Sequence, residues 1–370
     1  MIPTAVADLR ACADRADDTI LYLPRSPERR SLPAPPRFVF GDCPAATAAR
    51  FYDETWEWES GLYVARDVDV FGDYLLARGD TLFRCRELYL NDDILAAHLR
   101  VHAAIATPPR LHAVPGACIA LAVPGHVIWG HWLVDLLPRL AALHASGFDP
   151  GRVTYLLPSN TPAWGDAWLG LLGIPAERIL RYDPLYDRIR AEQLLIPTLL
   201  RCNSRTTAPF AAAVRWLAAT IAARHGDAPH GPARLFVSRA QSGREHRRLT
   251  NRARIETLAA EAGFAIVHPD RLPLIDQVRL FAGARQIIGE YGSALHGTIF
   301  APPGTVVAAL RGDGSPVAGF LQSAIGHALG QPTGYVFGRT GDDPLESFTV
   351  EEDAMRRCLD HVFGAMPLDA

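Results

Sequence analysis

From Gly231 onward, short apolar runs alternate with amphipathic stretches. LFVS (Leu235–Ser238), FAIV (Phe264–Val267), QIIG (Gln286–Gly289) and TVVAAL (Thr305–Leu310) read as strands, apolar enough to be buried on both faces. Between them the pattern predicts a helix from about Asn251 to Ala262, ended by Gly263. A second helix covers LPLIDQVRLFAGA, with Pro273 near its first turn, and a short one covers ALHGTIF (Ala294–Phe300). Strands alternating with helices of this length predict a right-handed parallel sheet covered on both sides.

This C-terminal half reads as a Rossmann-type, nucleotide-binding domain. The first 200 residues are less regular. CIALAV (Cys118–Val123) and VTYLL (Val153–Leu157) are strand-like and alternate with the helical segments WGHWLVDLLPRLAALHASG and AWLGLLG. They predict a second α/β domain, preceded by an irregular stretch over residues 1–110. The boundary is expected within PTLLRCNSRTTAP, between Pro197 and Pro209, and 370 residues suit two domains of ordinary size.

Composition narrows the chemistry. All 37 basic residues are Arg, so pyridoxal Schiff bases, Walker-type phosphate loops and protein-kinase sites, which need a lysine, are excluded. Any phosphate must be held by Arg, His or backbone N–H groups. A net charge of −3 gives no footprint for nucleic acid. The six cysteines are scattered, without a C-x-x-C pair, and read as free thiols rather than zinc ligands or a disulfide framework. The first twenty residues carry acids where an export signal needs an apolar core. The most apolar segment, Val114–Trp129, is cut by Pro124 and Gly125 and too short to span a bilayer. The expected location is cytoplasmic, with room for peripheral contact at the inner membrane face.

Three constellations carry candidate chemistry. RLFVSRAQSGREHRRLTNRAR (Arg234–Arg254) holds seven arginines. Arg239 follows a strand directly, while Arg244, Arg247 and Arg248 lie in the loop before the next helix. Guanidinium forks suit a diphosphate, and parallel sheets bind ligands at this edge. EYGSALHG supplies the next strand end. Gly292 permits a tight turn after Tyr291, and the N–H groups of Ser293, Ala294 and Leu295 are expected to open a helix toward an anion. Ser293 is a cap or phosphate ligand, Glu290 suits ribose or sugar hydroxyls, and His296 is either a phosphate contact or packing. In GHVIWGHWLVDLLPRL, His131, Asp135 and Arg139 are spaced by four and are expected to share one helix face, with Pro138 kinking or ending the helix. His131 near the helix start would be kept neutral, as a general base requires. The alternative is a surface ladder without a ligand.

Asp67-Val-Asp69 has D-x-D spacing and Asp92-Asp93 is a further pair, but both are assigned to loop and capping roles, and no metal is expected. A G-x-G-x-x-G fingerprint is absent, which argues against an NAD enzyme.

GHWLVDLLPRL, then LFVSR with RRLTN, then GFAIVHPDRLPLIDQVRLFAGARQIIGEYGSALHGTIFAPPG together resemble the capsular-polysaccharide-type glycosyltransferases of family 61, over roughly residues 115–310. The resemblance implies a GT-B-like α/β fold of two facing Rossmann-type domains with parallel sheets: residues 1–200 on the acceptor side and 201–345 on the nucleotide-sugar side. Residues 346–370 are expected to form a helix packing back on the N-terminal domain. It also implies an inverting, metal-independent transfer from a nucleotide-diphosphate sugar to a glycan or lipid-linked glycan acceptor in bacterial surface polysaccharide synthesis, with no cofactor. Carried over residue by residue, it assigns Arg239, Arg248, Asn251, Gly292, Ser293 and Leu295 to the donor site, and His131 and Asp135 to the N-terminal motif. Arg244, Glu290, Tyr291, Ala294 and His296 complete the donor-site expectation, and His131 or Asp135 is the expected base. The chain departs from the family pattern at Arg252, Tyr291 and Gly297. Two rival functions are a nucleotide-sugar epimerase and a degenerate, non-catalytic binding subunit.

Overall fold

A computed structural model describes residues 3–15, 19–31, 33–226, 231–240, 246–314 and 320–364. The chain divides into two compact units, interleaved in sequence: residues 1–29, 58–202 and 207–224 form the first, and 30–57, 203–206 and 225–370 the second. The expected boundary near residue 200 is therefore crossed more than once. Residues 30–57 belong with the C-terminal unit, because Val39–Phe40 adds a parallel strand to its sheet.

The first unit holds a nine-stranded mixed sheet. Its strands are β1 (Ala5–Asp8), β2 (Ile20–Ser26), β3 (Ser60–Phe71), β4 (Leu75–Arg78), β5 (Thr81–Arg84), β6 (Arg110–Ala120), β7 (Thr154–Pro158), β8 (Ile179–Tyr182) and β9 (Asp187–Pro197). They run in the order β1-β5-β4-β3-β9-β6-β7-β8, with β2 also on β3. The stretch before residue 110, irregular in sequence, supplies an antiparallel meander, β3-β4-β5. Its hydrophobic pattern hides this because β3 is buried along nearly its whole length instead of alternating. Parallel pairing is confined to β9-β6-β7-β8 and the edge pair β1-β5, so a purely parallel Rossmann-type sheet is not what the N-terminal half forms.

The second unit matches its pattern closely. Its parallel strands are β10 (Arg234–Val237), β11 (Ala265–Val267), β12 (Gln286–Glu290), β13 (Val306–Gly312) and β14 (Thr333–Thr340), ordered β11-β10-β12-β13-β14. Phe236 pairs with Ile288 and Ile288 with Ala308, all fully buried. Helix Arg252–Glu261 ends where sequence placed its stop. Gly263 adopts φ +83° and donates to the Ala260 carbonyl at 2.9 Å, while Phe264 N–H reaches the Ala259 carbonyl at 3.0 Å. Helix Glu352–Cys358 and the wider turn after it do not leave this unit, as had been expected of residues 346–370. Met355, Cys358 and Phe363 join the core with Phe264 and Ile255, and Arg254 pairs with Glu352 at 2.7 Å. Among the described residues no helix is long and apolar enough to cross a membrane.

Candidate active-site elements

In the first unit, polar chemistry gathers on the connection from β6 to β7. Gly125 has φ +93°, and a Cβ there would lie 2.8 Å from the His131 ring, so only glycine lets the imidazole lie against this turn. The helix that follows is not uniform. Trp132–Leu136 forms a π turn, with Leu137 N–H on the Trp132 carbonyl at 2.9 Å, and an α-helix resumes over Arg139–Ala145. Pro138 explains the widening, since its ring would press on the carbonyl four residues back in a regular helix.

Across this turn His131 and Asp135 meet. Nδ1 of His131 stands 2.6 Å from Oδ2 of Asp135, and because a carboxylate only accepts, Nδ1 carries a proton, which in a neutral imidazole leaves the lone pair on Nε2. Asp135 is 1% exposed and also accepts from Arg201, Nε to Oδ1 at 2.7 Å and Nη2 to Oδ2 at 2.8 Å. The Arg201 guanidinium lies over the Tyr89 ring, 5.2 Å from its centre. Burial alone would push the Asp135 carboxyl up, but the Arg201 charge and the hydrogen bonds from His131 and Arg201 outweigh it and hold the group well below the usual carboxylate range.

Arg139, expected on the same face, is elsewhere. The π turn rotates it off the His131–Asp135 line, and it is fully buried, donating to the carbonyls of Pro197 (2.6 Å), Leu121 (2.7 Å) and Ala120 (3.4 Å). Burial lowers its pKa to about 10. Arg201 takes the partner's place. Sequence reasoning missed it because it lies in the segment read as a domain boundary, and a lone arginine after an apolar strand is the only signal it gives. The D-x-D carboxylate of Asp69 is closed off, accepting from Arg188 at 2.7 Å and from Arg190 at 2.5 and 2.9 Å. Asp92 and Asp93 open a helix capped by Asn91. Among the described residues no group of three or more His, Cys, Asp or Glu side chains is arranged to hold a metal.

In the second unit the strand order places a topological switch point between β10 and β12, the crevice where doubly wound sheets take ligands. Arg239 lies two residues beyond β10 and Gly292 two beyond β12. The two are neighbours: a Cβ on Gly292 would sit 3.7 Å from the Arg239 guanidinium carbon. Gly292 adopts φ +154°, a conformation L side chains rarely take. The N–H groups of Gly292, Ser293 and Ala294 take no hydrogen bond among the described residues, whereas Leu295 N–H closes on the Gly292 carbonyl at 3.0 Å. The segment Leu295–Phe300 is a 3₁₀ turn, and the Leu295 side chain is core.

Glu290 is the organiser of this edge. Fully buried, it accepts from Arg252 Nε (2.7 Å) and Nη2 (3.0 Å) and from the main-chain N–H groups of Arg239 (3.1 Å) and Leu249 (3.4 Å). That commitment ties the ends of both strands to the Arg-rich loop. Arg252, a departure from the family pattern, is thus matched by a buried partner; its hydrogen bond to Glu290 raises its pKa. Asn251 likewise turns inward, its amide bonded to the backbone of Val350 at 2.7 and 3.3 Å. His296 is buried, with Nδ1 3.1 Å from Gln322. Arg248 is exposed, Tyr291 and Ser293 are half-buried, and Arg244 lies outside the described residues. A further arginine unforeseen from sequence, Arg311, follows on β13. It is 3% exposed and lies against the rings of Phe320 (4.8 Å) and Tyr291 (5.5 Å).

Residues 129–308, which include both His131–Asp135 and the β10–β12 edge, match the family model for glycosyltransferase 61. The chain carries a glycosyltransferase 61 domain. This glycosyltransferase therefore takes a sugar donor and an acceptor as substrates. A search of curated proteins finds no match.

Proposed function

We propose that the protein is an inverting, metal-independent glycosyltransferase of GT-B type, moving a sugar from a nucleotide-diphosphate donor to a glycan or lipid-linked glycan acceptor in surface polysaccharide synthesis. The observation that carries this reading is the meeting of Arg239 with Gly292 at the switch point. A guanidinium beside three main-chain N–H groups matches the charge and geometry of a diphosphate. Arg248 is an exposed cation available from the adjoining loop. In the transfer step the acceptor oxygen bonds to the anomeric carbon while the carbon–oxygen bond to the diphosphate breaks, its electron pair leaving on phosphate. Arg239 and the amide groups offset the charge that grows there. The acceptor's proton goes to the His131–Asp135 pair.

Calorimetry against UDP, GDP, CDP and dTDP, paired with mass-spectrometric screening of the corresponding nucleotide sugars, tests the proposal. One nucleotide should bind, and Arg239→Ala should weaken it about 10- to 100-fold, the loss of one charge-assisted hydrogen-bonding group. Transfer should require an acceptor. An isomerised sugar formed from donor alone would instead indicate an epimerase, and a protein that binds no nucleotide would be a scaffold.

A further inference from the structure

Arg201 belongs to no recognised motif, yet its guanidinium closes on a buried carboxylate, Asp135, that also touches a histidine. Its fork meets both oxygens of Asp135, at 2.7 and 2.8 Å, and its own side chain is only 14% exposed. The guanidinium is itself held from behind, lying over Tyr89, whose hydroxyl is 3.4 Å from Nη1. Tyr89 has φ +58°, and its ring packs edge-on to Trp58 at 5.0 Å. A side chain held between Asp135 and Tyr89 holds its carboxylate partner to one orientation.

We infer that Arg201 is a positioning residue of the transfer step: it fixes Asp135 as a permanent acceptor, so that Asp135 orients His131 and the acceptor's proton is taken by Nε2 of His131. The inference rests on the reading of the His131–Asp135 pair as the base. The logic is that of a carboxylate with too many donors to accept a proton itself. Oδ1 is occupied by Arg201, and Oδ2 is shared between Arg201 and His131 Nδ1–H. Among the described residues, the charged groups that act on the pair are Arg201 from the segment after β9 and Arg139 from the following helix, whose charge reaches Asp135 across the core, while the neutral, titratable Tyr89 from the turn after β5 contacts Arg201. Arg139 spends its donors on backbone carbonyls and cannot substitute for the fork.

Histidine-labelled full-length protein, read by side-chain nitrogen NMR between pH 5 and 9 with His131→Gln identifying the resonance, tests this without any substrate. Neutral His131 should be the Nδ1–H tautomer. Arg201→Gln removes a positive charge facing the pair, which favours imidazolium, so the His131 midpoint should move up by about one pH unit. Arg201→Met, equally without the charge, should move it as far and serves as the decisive variant if Arg201→Gln does not fold. An Nε2–H tautomer in the wild type, or a folded Arg201 variant with an unmoved midpoint, would overturn the inference. The parent reading is separated by sugar consumption from a mixture of UDP-, GDP-, CDP- and dTDP-sugars. If His131→Gln consumes it at the wild-type rate, the base assignment itself is lost. If His131→Gln is inactive while both Arg201 variants titrate as the wild type does, only the role of Arg201 is lost.

Discussion

Asp135 in the first unit and Glu290 in the second are built alike up to a point. Each is a carboxylate at most 1% exposed, and each is gripped by both nitrogens of one arginine fork, Arg201 at 2.7 and 2.8 Å and Arg252 at 2.7 and 3.0 Å. The difference lies in the remaining partner. Glu290 spends its other lone pairs on main-chain N–H groups of Arg239 and Leu249, which cannot change protonation. Asp135 spends its own on an imidazole, which can. The same ion-pair device therefore serves shape in one place and proton chemistry in the other, and what a buried carboxylate does is decided by its third neighbour rather than by burial or by its countercharge.

The largest expected effect would break the comparison at the imidazole. His131→Ala or Asp135→Asn should lower turnover by about 10²–10⁴-fold while nucleotide affinity, measured by calorimetry, stays close to wild type. If Asp135→Asn kept turnover, the two carboxylates would be equivalent scaffolding. Glu290→Ala comes next, and acts on stability. Leaving the half-buried Arg252 and the main-chain N–H groups of Arg239 and Leu249 without their partner should cost about 3 kcal/mol in urea unfolding, with nucleotide binding weakened because Arg239 and the loop at Leu249 lose their common tie. An unfolding midpoint close to wild type would remove Glu290 from the role of organiser.

How far this contrast could be read in advance differs between the units. In the second, strands and helices followed from apolar runs because a parallel sheet buries whole strands and the punctuation is explicit, with Gly263 stopping one helix and Pro273 preceding the next. In the first, β3 is bent into antiparallel pairings with β2, β4 and β9, and long-range pairing leaves no local signature. Site residues divide the same way. His131 and Asp135 are four apart on one chain segment, so their meeting was visible; Arg201 comes from 66 residues further along and was not. Glu290 and His296 were singled out as polar residues around an apolar strand end and Asn251 by the family resemblance, but sequence does not say whether such a group faces a ligand or a neighbouring strand. Arg311 was hidden because its surroundings are rings contributed by three other segments.

The smallest effect sharpens the comparison through pH. The Asp135 carboxyl is held below its ordinary value in the fold, whereas an unfolded Asp titrates near about 3.9. A depressed folded-state pKa means that the unfolded chain binds the proton more readily. The stabilisation is therefore complete above the unfolded value and fades as pH falls through about 3.9 toward the folded one. Asp135→Asn cannot gain or lose that proton. The gap in urea midpoint between wild type and Asp135→Asn should accordingly be constant from pH 8 to about pH 5 and narrow as the solution is taken toward pH 3. A gap that stays level or widens on acidification would mean that Arg201 and His131 do not hold the carboxylate ionised, and the third-neighbour account of Asp135 would lose its electrostatic basis.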